Sequence, residues 1–208
     1  MQARGLLIVV SGPSGAGKGT VCKELRRKCP EIQLSVSVTT RAPREGEVHG
    51  VNYFFSDRKS FENMIEQDAL LEHAEVYGNC YGTPKDFVFS EIRSGRDILL
   101  EIDIQGALQI RDKYPEGVFV FIVPPSMEEL RNRIVKRGSE TEETLETRFS
   151  SAFSEMHFIS KYDYFIINDT VDSAVEKMEA IIQAEKCRVL VDSADELIRE
   201  FKEESKHA

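Results

Sequence analysis

This 208-residue chain has no apolar run that approaches membrane-spanning length, which excludes a transmembrane helix. Cysteine is sparse and unpatterned. Cys22, Cys29, Cys80 and Cys187 show no C-x-x-C spacing, so neither a zinc site nor a redox dithiol is indicated, and reduced thiols are expected. Positive charge is also short: 27 Lys and Arg face 36 Asp and Glu, a net charge of -9. Broad attraction to nucleic acid or to an anionic membrane is therefore excluded, and any anion must be bound locally by clustered arginines and backbone amides. Glycine and proline are absent after Gly138. Without those breakers the last third should be largely helical, with one strand. There is no internal repeat, low-complexity tract or long linker. With 41% hydrophobic and 30% charged residues, the expectation is a soluble, cytoplasmic protein with one substantial core and room for small inserted lobes.

What is present is organised around Gly12-Pro13-Ser14-Gly15-Ala16-Gly17-Lys18-Gly19-Thr20. It directly follows the apolar run Leu6 to Val10, which suits a strand buried on both faces, and precedes Val21 to Lys28, of helix-forming composition. Strand, glycine loop and helix together form the context of a phosphate loop: main-chain N-H groups converge on an anion, and the helix N-terminus adds a favourable dipole. Gly12, Gly17 and Lys18 satisfy G-x-x-x-x-G-K, and Lys18 is placed for the β- and γ-phosphates of a nucleoside triphosphate. Gly19 stands where Ser or Thr usually supplies a magnesium-facing hydroxyl, leaving Thr20 as the candidate for that role. The bland alternative is an ordinary glycine-rich turn.

Further along, Ile32 to Val38 alternates like a strand. Arg41 to Tyr81 is turn-rich and polar, with an aromatic strand at Val51 to Phe55 and a small helix at Ser60 to Gln67, with Phe61, Met64 and Ile65 inward. It is too long for a loop and reads as an inserted lobe. Pro84 opens a helix through Arg93, and a buried strand from Ile98 to Ile104 carries Glu101 and Asp103 towards the crevice where open α/β sheets bind ligands. The alternative for these acids is solvation at a strand end. A helix from Gly106 to Lys113 leads to the strand Val118 to Val123. Ser126 caps a helix to Arg137. Another begins near Thr141 with Leu145, Phe149, Ala152, Phe153 and Met156 on one face. Arg133, Arg137 and Arg148 bracket Gly138, which suits equally a solvated surface and a lid that closes charge over phosphates. A last strand, Tyr164 to Ile167, precedes amphipathic helix with Val175, Met178 and Ile182 inward. Leu197, Ile198 and Phe201 mark another short helix. Strands alternating with helices imply a parallel sheet with right-handed crossovers.

From Gly12 to about Asp169 the chain resembles the guanylate kinase family. The likeness runs through Ser35-Val36-Ser37-Val38-Thr39-Thr40-Arg41-Ala42-Pro43-Arg44, Gly46-Glu47, Tyr53, Glu72-His73-Ala74, Gly78-Asn79-Cys80-Tyr81-Gly82-Thr83 and Ile102-Asp103-Ile104-Gln105-Gly106. It continues with Arg133, Arg137-Gly138, Arg148, Tyr162-Asp163-Tyr164 and Asn168, all in family order. The resemblance implies an α/β fold, a P-loop parallel sheet flanked by helices, with an inserted nucleotide-monophosphate-binding lobe and a helical lid. The corresponding division is a P-loop core at 1-36, 88-125 and 151-208, a GMP-binding lobe at 37-87 and a lid at 126-150.

The family also implies roles. Ser37, Arg41, Arg44, Tyr53 and Tyr81 would hold the GMP phosphate, since guanidinium forks and hydroxyls suit a dianion. Glu72 would accept from guanine N1-H and its exocyclic amine, with Thr83 near O6 and Asp103 on the amine side. Without the flanking motif, Glu72 would read as a helix-end or surface acid. Gly12, Pro13, Ser14, Gly15, Ala16, Gly17, Lys18, Gly19, Thr20, Arg133, Arg137 and Asn168 would bind ATP. Lys18, Arg41, Arg137 and Arg148 would carry catalysis. The implied reaction moves the ATP γ-phosphoryl group to GMP, and by extension to dGMP, with Mg2+ accompanying ATP and no protein ligand assigned to it beyond Thr20. Val38, Cys80 and Glu101 depart from the usual family residues. The implied partners are the small molecules ATP and GMP, with no nucleic acid or membrane, and a monomer and a homo-oligomer are both compatible. One rival is a non-catalytic guanylate-kinase-like module that binds partner proteins. Another is a kinase for a different nucleoside monophosphate.

Overall fold

The computed structural model describes residues 4–76, 78–136, 142–189 and 191–205. Its first strand, β1 (Leu7–Ser11), is buried along its whole length and lies at the centre of a five-stranded parallel sheet. The other members are β2 (Gln33–Leu34), β7 (Ile98–Glu101), β8 (Val118–Val123) and β9 (Tyr164–Ile167), in the order β2-β7-β1-β8-β9. The chain passes from β7 to β8 across β1. The carboxyl end of β1 is therefore a point where connections leave in opposite directions, the place where such sheets open a crevice.

Alternation along the strands divides the core. On one face Ile8, Val10, Leu99, Val120, Ile122 and Ile166 pack against Val21, Cys22 and Leu25 of α1 (Lys18–Lys28) and Ala174, Val175, Met178 and Ile182 of α7 (Val171–Lys186). On the other, Leu7, Val9, Ile98, Leu100 and Phe119 meet Val88 and Ile92 of α3 (Lys85–Arg93) and Ala107 and Ile110 of α4 (Ile104–Lys113). Cover on both faces is why β1, β7 and β8 read as continuous apolar runs. Each fully buried Ile, Leu or Val side chain there contributes about 1.5–3 kcal/mol relative to exposure.

A second sheet takes all its strands from the middle of the chain: β3 (Val38–Thr39), β4 (Phe54–Phe55), β5 (Leu70–Val76) and β6 (Asn79–Pro84), in the order β4-β3-β6-β5. With α2 (Arg58–Glu66) it encloses a small core of Val38, Phe61, Leu70 and Cys80, with Met64 partly buried against them. Asp57 caps α2 by accepting from Ser60 N at 2.9 Å. Ile65 is 37% exposed, a correction to the inward face expected for that helix.

Two other expectations change. The alternating run Ile32 to Val38 is not one strand. Ser35 N donates to Leu99 O in the first sheet at 3.0 Å, whereas Ser37 O accepts from Phe54 N in the second at 2.9 Å. A period of two persists through a change of partner and so cannot reveal it. The strand expected through Ile104 ends at Glu101, because Asp103 accepts from Gly106 N at 3.1 Å and caps α4.

The remaining helices are α5 (Met127–Lys136), α6 (Glu142–Glu155), a 3-10 helix (Met156–Lys161) and α8 (Val191–Glu204). Ser126 caps α5 as expected, accepting from Glu129 N at 3.0 Å. Leu130, Ile134 and Ala152 join α5 to α6, while Phe153, expected inward, is 55% exposed. Among the described residues no helix is long and apolar enough to cross a membrane.

Candidate active site

The loop after β1 turns through three glycines with positive φ, Gly12 (140°), Gly15 (89°) and Gly17 (94°), a backbone path that other residues adopt only under strain. At Gly17 there is also no space: a Cβ would lie 2.3 Å from Asn168 Nδ2. Gly17 opens α1 without a side-chain cap, and the first turn carries no acidic residue. The first N-H groups of α1 thus lack the partner a capping side chain would supply, which is the condition for binding a phosphate.

Lys18 bends back over the loop, its Nζ donating to Gly12 O at 2.5 Å and Pro13 O at 3.2 Å. Burial pulls its ammonium below the usual lysine range, opposed by the negative fields of Glu101 and Glu155. Asn168, at the carboxyl end of β9, donates from Nδ2 to Ala16 O at 2.8 Å. Arg133 of α5 donates to Asn168 O at 3.1 Å and to Ala16 O at 3.4 Å, and is steadied by Glu129 at 2.8 Å. Gly15, Gly17, Thr20, Arg133, Asn168, Asp169 and Val171 line an open cleft of about 290 Å³. Sequence reasoning did not single out Asp169 or Val171 for this wall.

Glu72 on β5 is 2% exposed. Thr83 Oγ1 donates to its Oε1 at 2.6 Å, and Oε2 makes no hydrogen bond. Desolvation by burial, helped by the nearby Asp103 charge, pushes its carboxyl up to about 7 against the lowering effect of Thr83. The same carboxylate presses on the first turn of α4, where a Cβ on Gly106 would sit 2.3 Å from Oε2. Gly106 was visible only as part of a motif. Its reason is this contact between α4 and β5, for which no local signal exists.

Arg41 follows β3. It donates from Nη2 to Glu47 Oε1 at 2.8 Å and Oε2 at 3.0 Å, and its guanidinium lies 5.4 Å from the centre of the Tyr53 ring. Tyr53 and Tyr81 meet edge to face at 6.0 Å. The hydrogen bond to Glu47 raises the Arg41 pKa, and the same bond lowers that of Glu47. Glu47, quoted only as part of a motif, is thus the partner that orients Arg41. Ser37 immediately precedes β3, and Arg44 is exposed, its backbone N donating to Glu47 Oε2 at 2.8 Å.

Electrostatic neighbours connect the two halves. Asp103 acts on both Glu72 and Lys18, and Glu101 acts on both Lys18 and Tyr53. Glu72, Tyr53 and Lys18 therefore share these two acids as neighbours. Arg137 lies outside the described residues, as does the side chain of Arg148.

This arrangement has close relatives. A guanylate kinase family model matches residues 4–185. A guanylate kinase of Caldanaerobacter subterraneus subsp. tengcongensis is 59% identical over 205 residues, covering 99% of this chain and 98% of that protein. One from Clostridium perfringens is 58% identical, covering 98% and 94%. The crystal structure of guanylate kinase from Anaplasma phagocytophilum superposes with a TM-score of 0.77 at 35% identity, covering 91% of this chain and 90% of that one. A glycine loop on a parallel sheet, an acid-bearing second sheet beside it and likeness along almost the whole length place this chain in the guanylate kinase family.

Proposed function

We infer that the protein transfers the γ-phosphoryl group of ATP to GMP, giving ADP and GDP. One observation carries the choice of base: Glu72 is buried with Oε1 occupied by Thr83 and Oε2 without a partner. An ionised carboxylate there accepts from guanine N1-H and the exocyclic amine. Adenine offers no such donor pair, and would leave a desolvated carboxylate unpaired. Because the sugar takes no part in that reading, dGMP is a substrate too.

The remaining roles are those the family resemblance implies, and charge supports them. Arg41 with Tyr53 and Tyr81, supported by Ser37 and Arg44, binds the GMP phosphate, and Asp103 stands on the amine side of the base. The loop from Gly12 to Thr20 cradles the ATP phosphates, and Arg133 and Asn168 bound the cleft for its nucleoside. An oxygen of the GMP phosphate attacks the γ-phosphorus as the bond to the ADP oxygen breaks. No covalent enzyme intermediate is needed, so catalysis is alignment, charge neutralisation and exclusion of water. Lys18 and Arg41 supply positive charge at the transferring group. Arg137 and Arg148 complete it on the strength of the sequence resemblance, within a lid at 126–150 that serves a core and a GMP lobe divided as the motifs suggest.

The residues beside the loop fit magnesium. A Cβ on Gly19 would lie 3.1 Å from Glu101 Oε1, so a carboxylate stands where a longer residue at position 19 would place its side chain. Thr20 adds a hydroxyl one residue on, and both are the hard oxygen donors this cation takes. Bound with ATP, it would neutralise charge on the β- and γ-oxygens. The enzyme works in the cytoplasm.

A coupled assay for ADP formation tests the reading. With Mg-ATP, GMP and dGMP should turn over, and AMP, CMP and UMP should not. Absence of turnover with GMP in folded protein would support the partner-binding alternative, and equal use of AMP would remove Glu72 from base selection.

A further inference from the structure

Glu155 closes α6, remote in sequence from the phosphate loop, yet its Oε2 accepts a hydrogen bond from Ser14 N at 3.3 Å. Packing brings it there. Leu130 and Ile134 of α5 lie against Gly15, where a Cβ would meet Leu130 Cδ1 at 2.9 Å and Ile134 Cγ1 at 3.0 Å. Ala152 of α6 is buried in the same cluster. Glu155 follows Ala152 by three residues and therefore points from the same helix face onto the loop. It is half-buried, and burial raises its pKa, while the Ser14 N-H and the Lys18 ammonium favour its charged form. A carboxylate on a loop N-H, in the field of the loop lysine, reproduces what a substrate phosphate oxygen does there.

We propose that Glu155 is a placeholder for substrate phosphate: its carboxylate holds the Ser14 N-H in the free protein and yields that position to the polyphosphate of the incoming nucleotide. The proposal rests on reading Gly12 to Thr20 as the ATP phosphate site. Binding at the loop is then an exchange of one anion for another. The placeholder keeps the N-H groups aimed inward before the nucleotide arrives. The same negative charge opposes any polyphosphate that has not displaced it, so intrinsic affinity at the loop is held down.

Tripolyphosphate, titrated calorimetrically in magnesium-free buffer, isolates this exchange. Glu155→Gln and Glu155→Ala should bind it about tenfold or more tightly than wild type, since a like charge leaves the site, while GMP affinity stays the same. The Ser14 amide resonance should differ between free wild type and free E155Q, and converge when both are saturated. Equal or weaker tripolyphosphate binding by both variants overturns the proposal, as does an unchanged Ser14 resonance. A lowered Tm accompanied by weaker binding shows Glu155 to be a brace for α6. If wild type and variants all fail to bind tripolyphosphate yet turn over GMP, the loop reading fails and takes this proposal with it. Failure of GMP turnover with the tight-binding result intact strikes only the choice of acceptor.

Discussion

Glu72 and Gly106 stand so close that a Cβ on Gly106 would lie 2.3 Å from Glu72 Oε2 and 2.8 Å from Cδ. The Glu72 carboxylate, proposed to read the base, is thus positioned by the absence of a side chain on another element. Gly106→Ala must push the carboxylate off Thr83 or tilt α4. Expected is a rise in KM for GMP of about tenfold or more, with KM for ATP little changed, because loss of one charged hydrogen bond is worth about 1.5–3 kcal/mol. Steady-state kinetics with each substrate varied would show it, and equal effects on both substrates would contradict it.

Glu72 also imposes a pH dependence. Burial pushes its pKa in the folded protein up to about 7 against an ordinary value of 4.5, and the proposed contact with guanine N1-H needs the charged form. The KM for GMP should therefore fall as pH rises through 7 and level off above it. The stability effect has the opposite sense. Because the folded state holds this proton more tightly, stability contributed by protonated Glu72 is present in acid and is lost as pH rises from 4.5 through 7. Glu72→Gln should lose GMP turnover while becoming more resistant to urea than wild type at pH 8. Matching urea midpoints at pH 8 would count against the burial cost.

Glu47 holds Arg41 through two hydrogen bonds, 2.8 and 3.0 Å, with both side chains largely shielded from solvent. Glu47→Gln should raise KM for GMP by about 5–30-fold with a smaller change in kcat, since a pre-set guanidinium is lost before the phosphate arrives. The effect should be largest at low salt. An unaltered KM would mean that Arg41 needs no such partner.

Asp97 provides a control away from the crevice. It accepts from Leu6 N at 2.9 Å and pairs with Lys186 at 2.7 Å, tying β1 to the end of α7. Asp97→Ala should cost about 1–3 kcal/mol, lowering Tm by about 2–4 °C for each kcal/mol in a chain of this size. Kinetics at low temperature should stay at wild-type values. A variant with normal Tm but poor turnover would give Asp97 a part in the site that its place in the fold does not suggest.

Much of the fold was legible because it is local. The runs Leu6 to Val10 and Val118 to Val123 announced strands covered on both faces, and the lack of glycine and proline after Gly138 announced a helical end in which β9 is the one strand among the described residues. The Ser126 cap and the buried face of α7 follow from positions three and four residues apart. The split of Ile32 to Val38 between two sheets was hidden, because alternation records which side faces a core and not which core. Phe153 and Ile65 were misplaced for a related reason: an apolar stripe on a helix says nothing about how far its neighbours extend over it.

The order of residues alone determined that a glycine loop with its lysine would follow the first strand and open a helix, since that signal is a short pattern of backbone freedom and charge, whereas Glu72, Arg41 and Arg44 stood out only through the family resemblance. Only tertiary structure decided that Glu72 would be buried against Gly106, that Glu47 would orient Arg41, and that Glu155 would rest on Ser14. Each of these depends on desolvation or close approach between segments far apart in the chain, and neither quantity exists until the two sheets and the helices α5 and α6 have packed.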